Sequence, residues 1–322
     1  MAHSERNRLG LAEWLLSPEH PLTARVTVNR IWQQYFGTGL VRTSEDFGSQ
    51  GEWPSHPKLL DWLAVEFIES GWDVKHMHRL IVTSATYQQS SKATPELLAA
   101  DPQNRLLTRG PRFRMDAEMV RDSVLHSSGL LVEQLGGPSV KPYQPLGLWY
   151  AVGYTRSNTA NFKQDSGDAL YRRSLYTFWK RTSPPPTMQL LDAPTRETCS
   201  VRRERTNTPL AALALMNDVQ FFEAARHFSE RIIKAGGDAK ESRSAFAFEQ
   251  STGRPPNERE LAVLLKQYAA HLATFTADKE AAAKLLEAGD SPRDEALDVS
   301  EHAAWTMVAN LVLNLDEAIT KR

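Results

Sequence analysis

Arginine side chains are concentrated just before a predicted helix in this chain. Arg202, Arg203 and Arg205 precede Asn207, and the helix is predicted to begin at Thr208. Guanidinium groups form paired hydrogen bonds with carboxylate, sulfate or phosphate, and the N–H groups of a helix N-terminus attract anions. The sequence therefore predicts a ligand-binding site at these arginines and at Asn207.

The same arginines also have a purely structural interpretation. They would pair with acidic residues of the chain and tie its central segment to the following helix, with Asp192, Glu197 and Asp218 as the candidate partners. The sequence leaves both interpretations open.

Aromatic side chains are frequent in the segment before these arginines. Trp179 and Tyr176 are assigned to the predicted ligand-binding site, because exposed ring faces stack on sugars or bases. The other aromatic residues of the segment that enter this prediction are Trp149, Tyr150, Tyr154 and Tyr171. Core packing is the alternative, since a long irregular segment needs apolar anchors.

Asp46 and His56 are candidate catalytic residues, together with Arg30 and Asp192. A carboxylate that orients an imidazole is a workable general base, and a guanidinium supplies electrostatic stabilisation. The sequence shows no nucleophile beside the pair. Alternatively, Ser55 caps a helix and His56 forms a hydrogen bond within its turn.

Three further features have weaker chemical interpretations. His76 and His78 lie on different sides of a predicted helix, so they do not converge on one metal ion, and no metal site is predicted. Cys199 is the only cysteine, and it is interpreted as a small packed residue rather than a nucleophile. The glycine pair at Gly136 lacks the Lys-Ser/Thr ending of a phosphate-binding loop and is predicted to form a turn.

Composition predicts a soluble, folded protein without a strong overall electrostatic field. The chain has 322 residues, 41% hydrophobic residues, and 38 basic against 39 acidic residues. This balance gives no overall attraction to nucleic acid or to an anionic membrane. No apolar stretch approaches the roughly 20 residues of a membrane span, and the first ten residues do not resemble a signal peptide.

Apolar periodicity predicts helices in both outer parts of the chain. Proline, glycine and capping residues mark their ends, as in the helix from about Pro21 to Phe36, the cap at Asp73 and the capping box of Asn257 with Glu260. Thr208 is predicted to cap one long helix that continues to Ile232, with Leu213 on its inner face. A short strand is predicted over 174–180 from its β-branched and aromatic residues.

The predicted fold class is mainly α, a multi-helix orthogonal bundle with an irregular Gly/Pro-rich centre and at most a short β element. We predict one composite domain over 1–322, with a helical part at 1–135, the irregular segment at 136–207 and a second helical part at 208–322.

Many short motifs without helical periodicity occur along the whole chain. They are Asn29-Arg30-x-Trp32, Phe36-Gly37-x-Gly39-Leu40-Val41, Asp46-Phe47-Gly48, Pro54-Ser55-His56-Pro57, Asp61-Trp62-Leu63, Gly136-Gly137-Pro138-Ser139-Val140, Arg172-Arg173-Ser174-Leu175-Tyr176, Asp192-Ala193-Pro194, Arg202-Arg203-x-Arg205-Thr206-Asn207-Thr208-Pro209, Asn217-Asp218, Thr252-Gly253-Arg254-Pro255 and Leu313-Asn314-Leu315-Asp316-Glu317. In these motifs and in their order, the chain resembles a planctomycete-specific domain family of unknown function.

Members of that family usually form the C-terminal domain of long exported proteins, often beside c-type cytochrome domains. The resemblance implies an exported location and a partner in the preceding domain of the same or a split protein, which in that family is often a c-type cytochrome domain. No cofactor is expected in this chain, because a single cysteine provides no Cys-x-x-Cys-His motif for covalent haem. The resemblance implies that any haem would belong to the separate cytochrome domain. The chain begins close to the first family motif, and we expect it to be a fragment or one half of a split protein.

Two functions follow as hypotheses. In the first, the chain is a non-catalytic interaction domain that docks a partner domain, an anionic polysaccharide or another carbohydrate at the arginine and aromatic face. In the second, it is a hydrolase-type enzyme with an Asp/His/Arg site. Family kinship transfers no mechanism to either one.

Overall fold

The computed structural model describes residues 6–153 and 156–321, and they are mainly helical, as predicted. Tyr154 lies outside the described residues. Two strands, β1 (Phe113–Arg114) and β2 (Thr320–Lys321), form a two-stranded sheet. The described residues divide into two compact units, one over 6–113 with Lys321 and one over Arg114–Thr320. The single composite domain and its three predicted parts stay a prediction.

The first unit contains six helices within its described residues. They are α1 (Arg8–Leu16), α2 (Thr23–Phe36), α3 (Pro57–Glu69), α4 (Val74–Val82), α5 (Ala85–Gln88) and α6 (Pro95–Ala100). The apolar stripes of α2, α3 and α4 form one core, which includes Trp32, Phe67 and Met77. Periodic apolar residues thus bury one face of each helix, as expected for amphipathic helices.

A buried asparagine fixes the chain after α2. The Asn29 side-chain amide donates to the backbone oxygen of Val41, and the Val41 backbone N–H donates to the Asn29 oxygen, at 3.0 and 2.9 Å. A Cβ on Gly39 would overlap this amide, which explains the glycine. The motif around Asn29 therefore positions the loop that leads to α3.

The second unit contains ten helices within its described residues. They are α7 (Ala117–Ser128), α8 (Leu148–Val152), α9 (Pro186–Leu190), α10 (Pro209–Asn217), α11 (Val219–Ala235), α12 (Lys240–Thr252), α13 (Glu258–Ala277), α14 (Lys279–Leu285), α15 (Val299–Leu313) and α16 (Asp316–Ile319). α15 lies at the centre and packs against α11 and α13, with Trp305 and Phe228 fully buried. α15 is apolar around most of its circumference, which suits a helix buried on all sides.

Several predicted helix ends are confirmed. The Asp73 side chain accepts a hydrogen bond from the backbone N–H of His76 and caps α4. Asn257 and Glu260 form both bonds of a capping box at α13. Thr208 caps α10, with Pro209 in its first turn.

Three local predictions are wrong. The helix that begins after Thr208 ends at Asn217, because Asp218 is extended and its side chain caps a new helix, α11. Ser55 does not cap α3, because its hydroxyl donates to the backbone oxygen of Leu40 instead. The segment 174–180 begins with a 3-10 turn at Ser174–Tyr176 and makes a single β-bridge, Val140 with Thr177, rather than a strand.

Candidate functional site

The Asp46 carboxylate is used within its own loop. It accepts the backbone N–H of Gly48 at 2.6 Å. His56 lies with Nδ1 3.0 Å from the hydroxyl of Ser55. Among the described residues of this loop, no hydrogen bond or ion pair joins Asp46 to His56, so the pair lacks the carboxylate–imidazole contact that orients a general base.

The other two catalytic candidates have different surroundings. Arg30 is exposed on α2 in the first unit, whereas Asp192 belongs to the second unit. The Asp192 carboxylate accepts from the Arg114 guanidinium and from the backbone N–H and hydroxyl of Thr206, the latter two at 2.7 and 2.9 Å. Asp192 therefore anchors the segment that carries the arginines, and its role as a catalytic group stays a prediction.

The arginine strip, defined here as residues 202–207, is tied to the start of α7. Arg203 donates to the Glu118 carboxylate at 2.6 Å, and Arg205 lies 3.4 Å from Asp116. Arg202 and Asn207 are exposed. Carboxylates near the N-terminus of α7 also interact favourably with its dipole. The ion pairs of Arg203 with Glu118 and of Arg205 with Asp116 thus join the arginine strip to acidic residues other than the three considered from the sequence.

Those three acidic residues have other partners. Asp192 binds Arg114 and Thr206 as described, and Glu197 lies 3.8 Å from Arg181. Asp218 caps α11 and accepts the Thr187 hydroxyl at 2.6 Å. Sequence spacing cannot identify such partners, because the residues that meet here are 85 positions apart in the Arg203–Glu118 pair.

Trp179 and Tyr176 are partly buried and each has a guanidinium over its ring. The centre of the Arg196 guanidinium lies 4.4 Å from the Trp179 ring, and that of Arg172 lies 3.8 Å from the Tyr176 ring. The Tyr176 hydroxyl also accepts the backbone N–H of Gly136 at 2.8 Å. These cation–π contacts occupy one face of each ring. Ligand binding by these rings stays a prediction.

The remaining aromatic residues of the segment divide between core and surface. Trp149 and Tyr171 are buried, as the packing interpretation predicts, whereas Tyr150 is exposed.

The histidines and the cysteine do not form a metal site within the described residues. His76 lies 2.7 Å from Glu66, and His78 lies 2.8 Å from the Tyr35 hydroxyl. Cys199 is exposed rather than packed, contrary to the sequence interpretation. No group of three or more metal-binding side chains occurs in 6–153 or 156–321.

Two buried arginines organise the irregular segment, and the sequence analysis assigned neither of them a structural or functional role. Arg121 of α7 donates to the backbone oxygens of Leu170 and Arg172, both at 2.8 Å. Arg172 in turn donates to the backbone oxygens of Gln134, Gly136 and Pro138. The glycine turn therefore presents carbonyl oxygens to a cation, which is the opposite of an anion-binding loop.

A strap over α11, defined as residues 287–298, covers a cluster of buried ionisable groups. The Glu223 carboxylate accepts the Tyr171 hydroxyl at 2.8 Å and the backbone N–H of Ser291 at 2.7 Å. Arg226 donates to the backbone oxygen of Ser291 at 2.6 Å, and Glu230 accepts the backbone N–H of Asp294 at 3.2 Å. Burial raises the pKa of Tyr171 to about 12, and its hydrogen bond to Glu223 adds to the shift. The strap is therefore held to the helix by buried charges.

The outer side of α10 is apolar and exposed. Leu210, Leu213 and Met216 are 61%, 57% and 47% exposed, while Ala211 and Leu215 face the core. Residues three apart lie on the same broad side of a helix. The arginine strip leads directly into this helix through Thr208.

These observations describe a mainly α protein with a helical core and a long irregular segment held by buried arginines. A family model described as PSD1, protein of unknown function (DUF1553), matches residues 7–268. The chain therefore belongs to this family of unknown function. No curated protein and no solved structure matches the chain. Within the described residues, none of the helices has the length and apolar character needed to cross a bilayer.

Proposed function

We propose that this chain is a non-catalytic interaction domain of a larger exported protein, and that it docks a partner domain through α10 and the arginine strip. The observation that carries this proposal is the exposed apolar side of α10. Core packing accounts for the apolar residues on the buried side of α10 but not for those on its exposed side.

Comparison with α15 shows why this exposure matters. Both helices are apolar around most of their circumference, but α15 is almost entirely buried, whereas three large side chains of α10 face solvent. A helix with this composition is normally covered on all sides. A contiguous exposed apolar patch on a folded protein often marks a site of interaction with another molecule. We therefore assign the outer side of α10 to a protein partner.

The arginine strip supplies a polar border next to this surface. Arg202 and Asn207 are exposed, and Arg203 remains one-third exposed in its ion pair with Glu118. Protein interfaces commonly combine an apolar centre with a polar rim, and arginine is enriched in them. We propose that the partner presents an apolar patch with acidic groups at its edge.

The partner is proposed to be the preceding domain of the same or a split protein. The resemblance of the sequence motifs supports a c-type cytochrome domain, which would carry the haem itself. An anionic polysaccharide is the second proposed ligand of the strip. It is less well supported, because Asp116 and Glu118 already pair with Arg205 and Arg203 and offset much of their charge.

The hydrolase-type alternative receives less support from the geometry. It requires Asp46 to orient His56, whereas Asp46 binds Gly48 and His56 contacts Ser55. A binding role does not require the Asp46–His56 contact, and we prefer it for that reason.

Binding of the purified chain to its preceding domain tests the proposal by calorimetry. Leu213→Asp places a charge in the apolar patch, and we expect it to weaken binding by about tenfold or more. Val263→Asp is the matched control, since Val263 is 54% exposed on α13 and should leave binding unchanged. Arg203→Ala should weaken binding less than Leu213→Asp.

A second arm distinguishes the two proposed ligands. The same variants are titrated with a sulfated glycan. Glycan binding that is lost in Arg203→Ala but kept in Leu213→Asp would replace the partner-domain proposal with the polysaccharide one. Failure of the preceding domain to bind the wild-type chain would contradict docking.

A further inference from the structure

A tryptophan of the first unit stands almost fully in solvent beside a groove. Trp53 is 90% exposed, and it lines a groove of about 370 Å³ together with Phe47 and Leu60. That volume falls within the range of about 300–1,000 Å³ that is typical of ligand clefts. Single apolar residues scattered over a protein surface need no explanation. Trp53 differs from them because its indole ring is large, almost fully exposed and lines a groove.

The loop that carries Trp53 is held in one conformation by its own hydrogen bonds. The Thr43 hydroxyl donates to the backbone oxygen of Asp46 at 2.8 Å and accepts the backbone N–H of Glu52 at 2.9 Å. A Cβ on Gly51 would overlap the backbone oxygen of Asp46. Because Glu52 directly precedes Trp53, this network fixes the backbone from which the indole projects. The exposed ring is therefore presented by an ordered loop.

Polar groups line the same groove. The Arg25 guanidinium pairs with the Asp61 carboxylate at 2.7 Å, and both side chains remain partly exposed at 38% and 57%. Glu52 is also exposed and lines the groove. A guanidinium only donates hydrogen bonds and a carboxylate only accepts them. Hydroxyl groups do both, so neighbouring hydroxyls of one ligand match this donor–acceptor pair.

We infer that this groove binds a neutral carbohydrate chain, with a sugar ring stacked on Trp53 and its hydroxyls bonded to Arg25 and Asp61. The C–H face of a pyranose ring is apolar and carries slight positive charge, which suits the negative face of an indole. The hydroxyls at the ring edge then reach the polar groups of the groove. This site lies in the first unit and is independent of the docking surface on α10.

The charges of the groove favour a neutral sugar over an acidic one. Arg25 is offset by Asp61, and Glu52 adds a further negative charge. A uronate or a sulfate would meet these carboxylates without a free arginine among the residues that line the groove. The neutral class therefore separates this site from an anionic polysaccharide on the arginine strip.

In the experiment, the full chain is titrated with neutral hexasaccharides of glucose, mannose and xylose. Calorimetry and tryptophan fluorescence measure the binding. We expect at least one hexasaccharide to bind. Trp53→Ala should weaken that binding by about tenfold or more, and Trp53→Phe by less. Trp62→Ala is the matched control, because Trp62 is half exposed on α3 but does not line the groove, and we expect unchanged affinity.

Two further probes make the inference falsifiable. A sulfated hexasaccharide should bind more weakly than the neutral ones, and a polyproline peptide should not compete with them. The inference is overturned if no neutral hexasaccharide binds at millimolar concentration, or if Trp53→Ala binds as well as the wild type. Binding of the peptide alone would assign the groove to proline-rich segments instead.

Discussion

At the scale of single residues, buried charges hold the irregular segment in place. Arg121 is only 3% exposed, and its guanidinium donates to backbone oxygens and to the Ser174 hydroxyl. Burial lowers the pKa of Arg121 to about 10, partly opposed by the charges of Asp122 and Asp218. The side chain therefore stays charged at neutral pH, and its hydrogen bonds compensate the loss of hydration.

Replacement of this arginine should destabilise the second unit strongly. Arg121→Met keeps the apolar stem but leaves several buried carbonyl oxygens without a donor, so we expect a loss of about 3–5 kcal/mol in the free energy of unfolding. Urea denaturation measures it. Arg173→Met is the control, because Arg173 is half exposed and should cost less than about 1 kcal/mol. Equal losses would show that the buried hydrogen bonds of Arg121 are not structurally important.

At the scale of elements, the strap 287–298 shows how a segment without secondary structure is fixed to a helix. Its anchors are Glu223, Arg226 and Glu230, which lie on α11. Gly289 approaches Glu223 so closely that a Cβ would overlap the carboxylate. The strap therefore depends on ionisable groups that have little contact with solvent.

His302 of α15 lies beside these anchors. Its Nε2 atom is 3.4 Å from the backbone oxygen of Arg226 and 3.8 Å from Glu230. Burial lowers the pKa of His302, and the charges of Arg226 and Arg293 act in the same direction, whereas Glu230 and the Arg226 backbone oxygen oppose the shift. The unfolded chain, with a histidine pKa of about 6.5, therefore binds more protons than the folded chain in mild acid.

The free energy of unfolding of the second unit should consequently decrease as the pH is lowered. The contribution of His302 is fully present above pH of about 6.5 and is lost progressively as pH falls below this value. Urea midpoints across this range measure the slope. His302→Gln should flatten it, and His126→Gln, which changes an exposed histidine, should not. Burial also lowers the pKa of His227 and of His271, so these residues contribute a slope of the same sign in the wild type and in the variant. Identical slopes in the wild type and in His302→Gln would contradict a contribution from His302.

At the scale of the whole molecule, each of the two units has a main apolar core of its own. Phe67 belongs to the core of α2, α3 and α4, and Phe228 belongs to the core around α11 and α15. Each core gathers helices of its own unit. We therefore expect each unit to keep much of its stability when the other core is damaged.

Hydrogen exchange followed by mass spectrometry tests this expectation in the full chain. Phe67→Ala should cost about 3–5 kcal/mol and reduce amide protection mainly within the described part of 6–113. Phe228→Ala is the reciprocal variant and should reduce protection mainly in 114–320. Equal loss of protection across both units from either variant would indicate one cooperative structure.

The sequence predicted those parts of the fold that depend on neighbouring residues. Asp73 and the Asn257–Glu260 pair cap helices within one turn of their own positions, and the apolar periodicity of α2 and α3 identifies their buried faces. It failed at Asp218, because the apolar periodicity on both sides of this residue predicted one continuous helix. Asp is unfavourable in a helix interior and favoured as an N-cap, and in the structure Asp218 caps a new helix.

The candidate sites were much less accessible from sequence. Trp53 occurs in the loop that also carries Asp46 and His56, the predicted catalytic pair. Nothing in the spacing of Trp53 along the sequence indicates that it is 90% exposed. The sequence predicts Leu213 on the inner face of a longer helix, and this prediction is wrong, because Leu213 lies on the exposed side of α10. Exposure depends on which surfaces of distant elements meet, and residue type alone does not determine it.

By itself, then, the sequence determined the mainly α class, many helix ends and the family to which the chain belongs. Only the tertiary structure decided that Arg203 pairs with Glu118, that Arg121 and Arg172 hold the irregular segment, and that an exposed Trp53 lines a groove. Helix formation and capping act over a few residues, and the sequence displays their signals directly. Ion pairs, burial and grooves join residues far apart in the chain, so they exist only once the helices have packed.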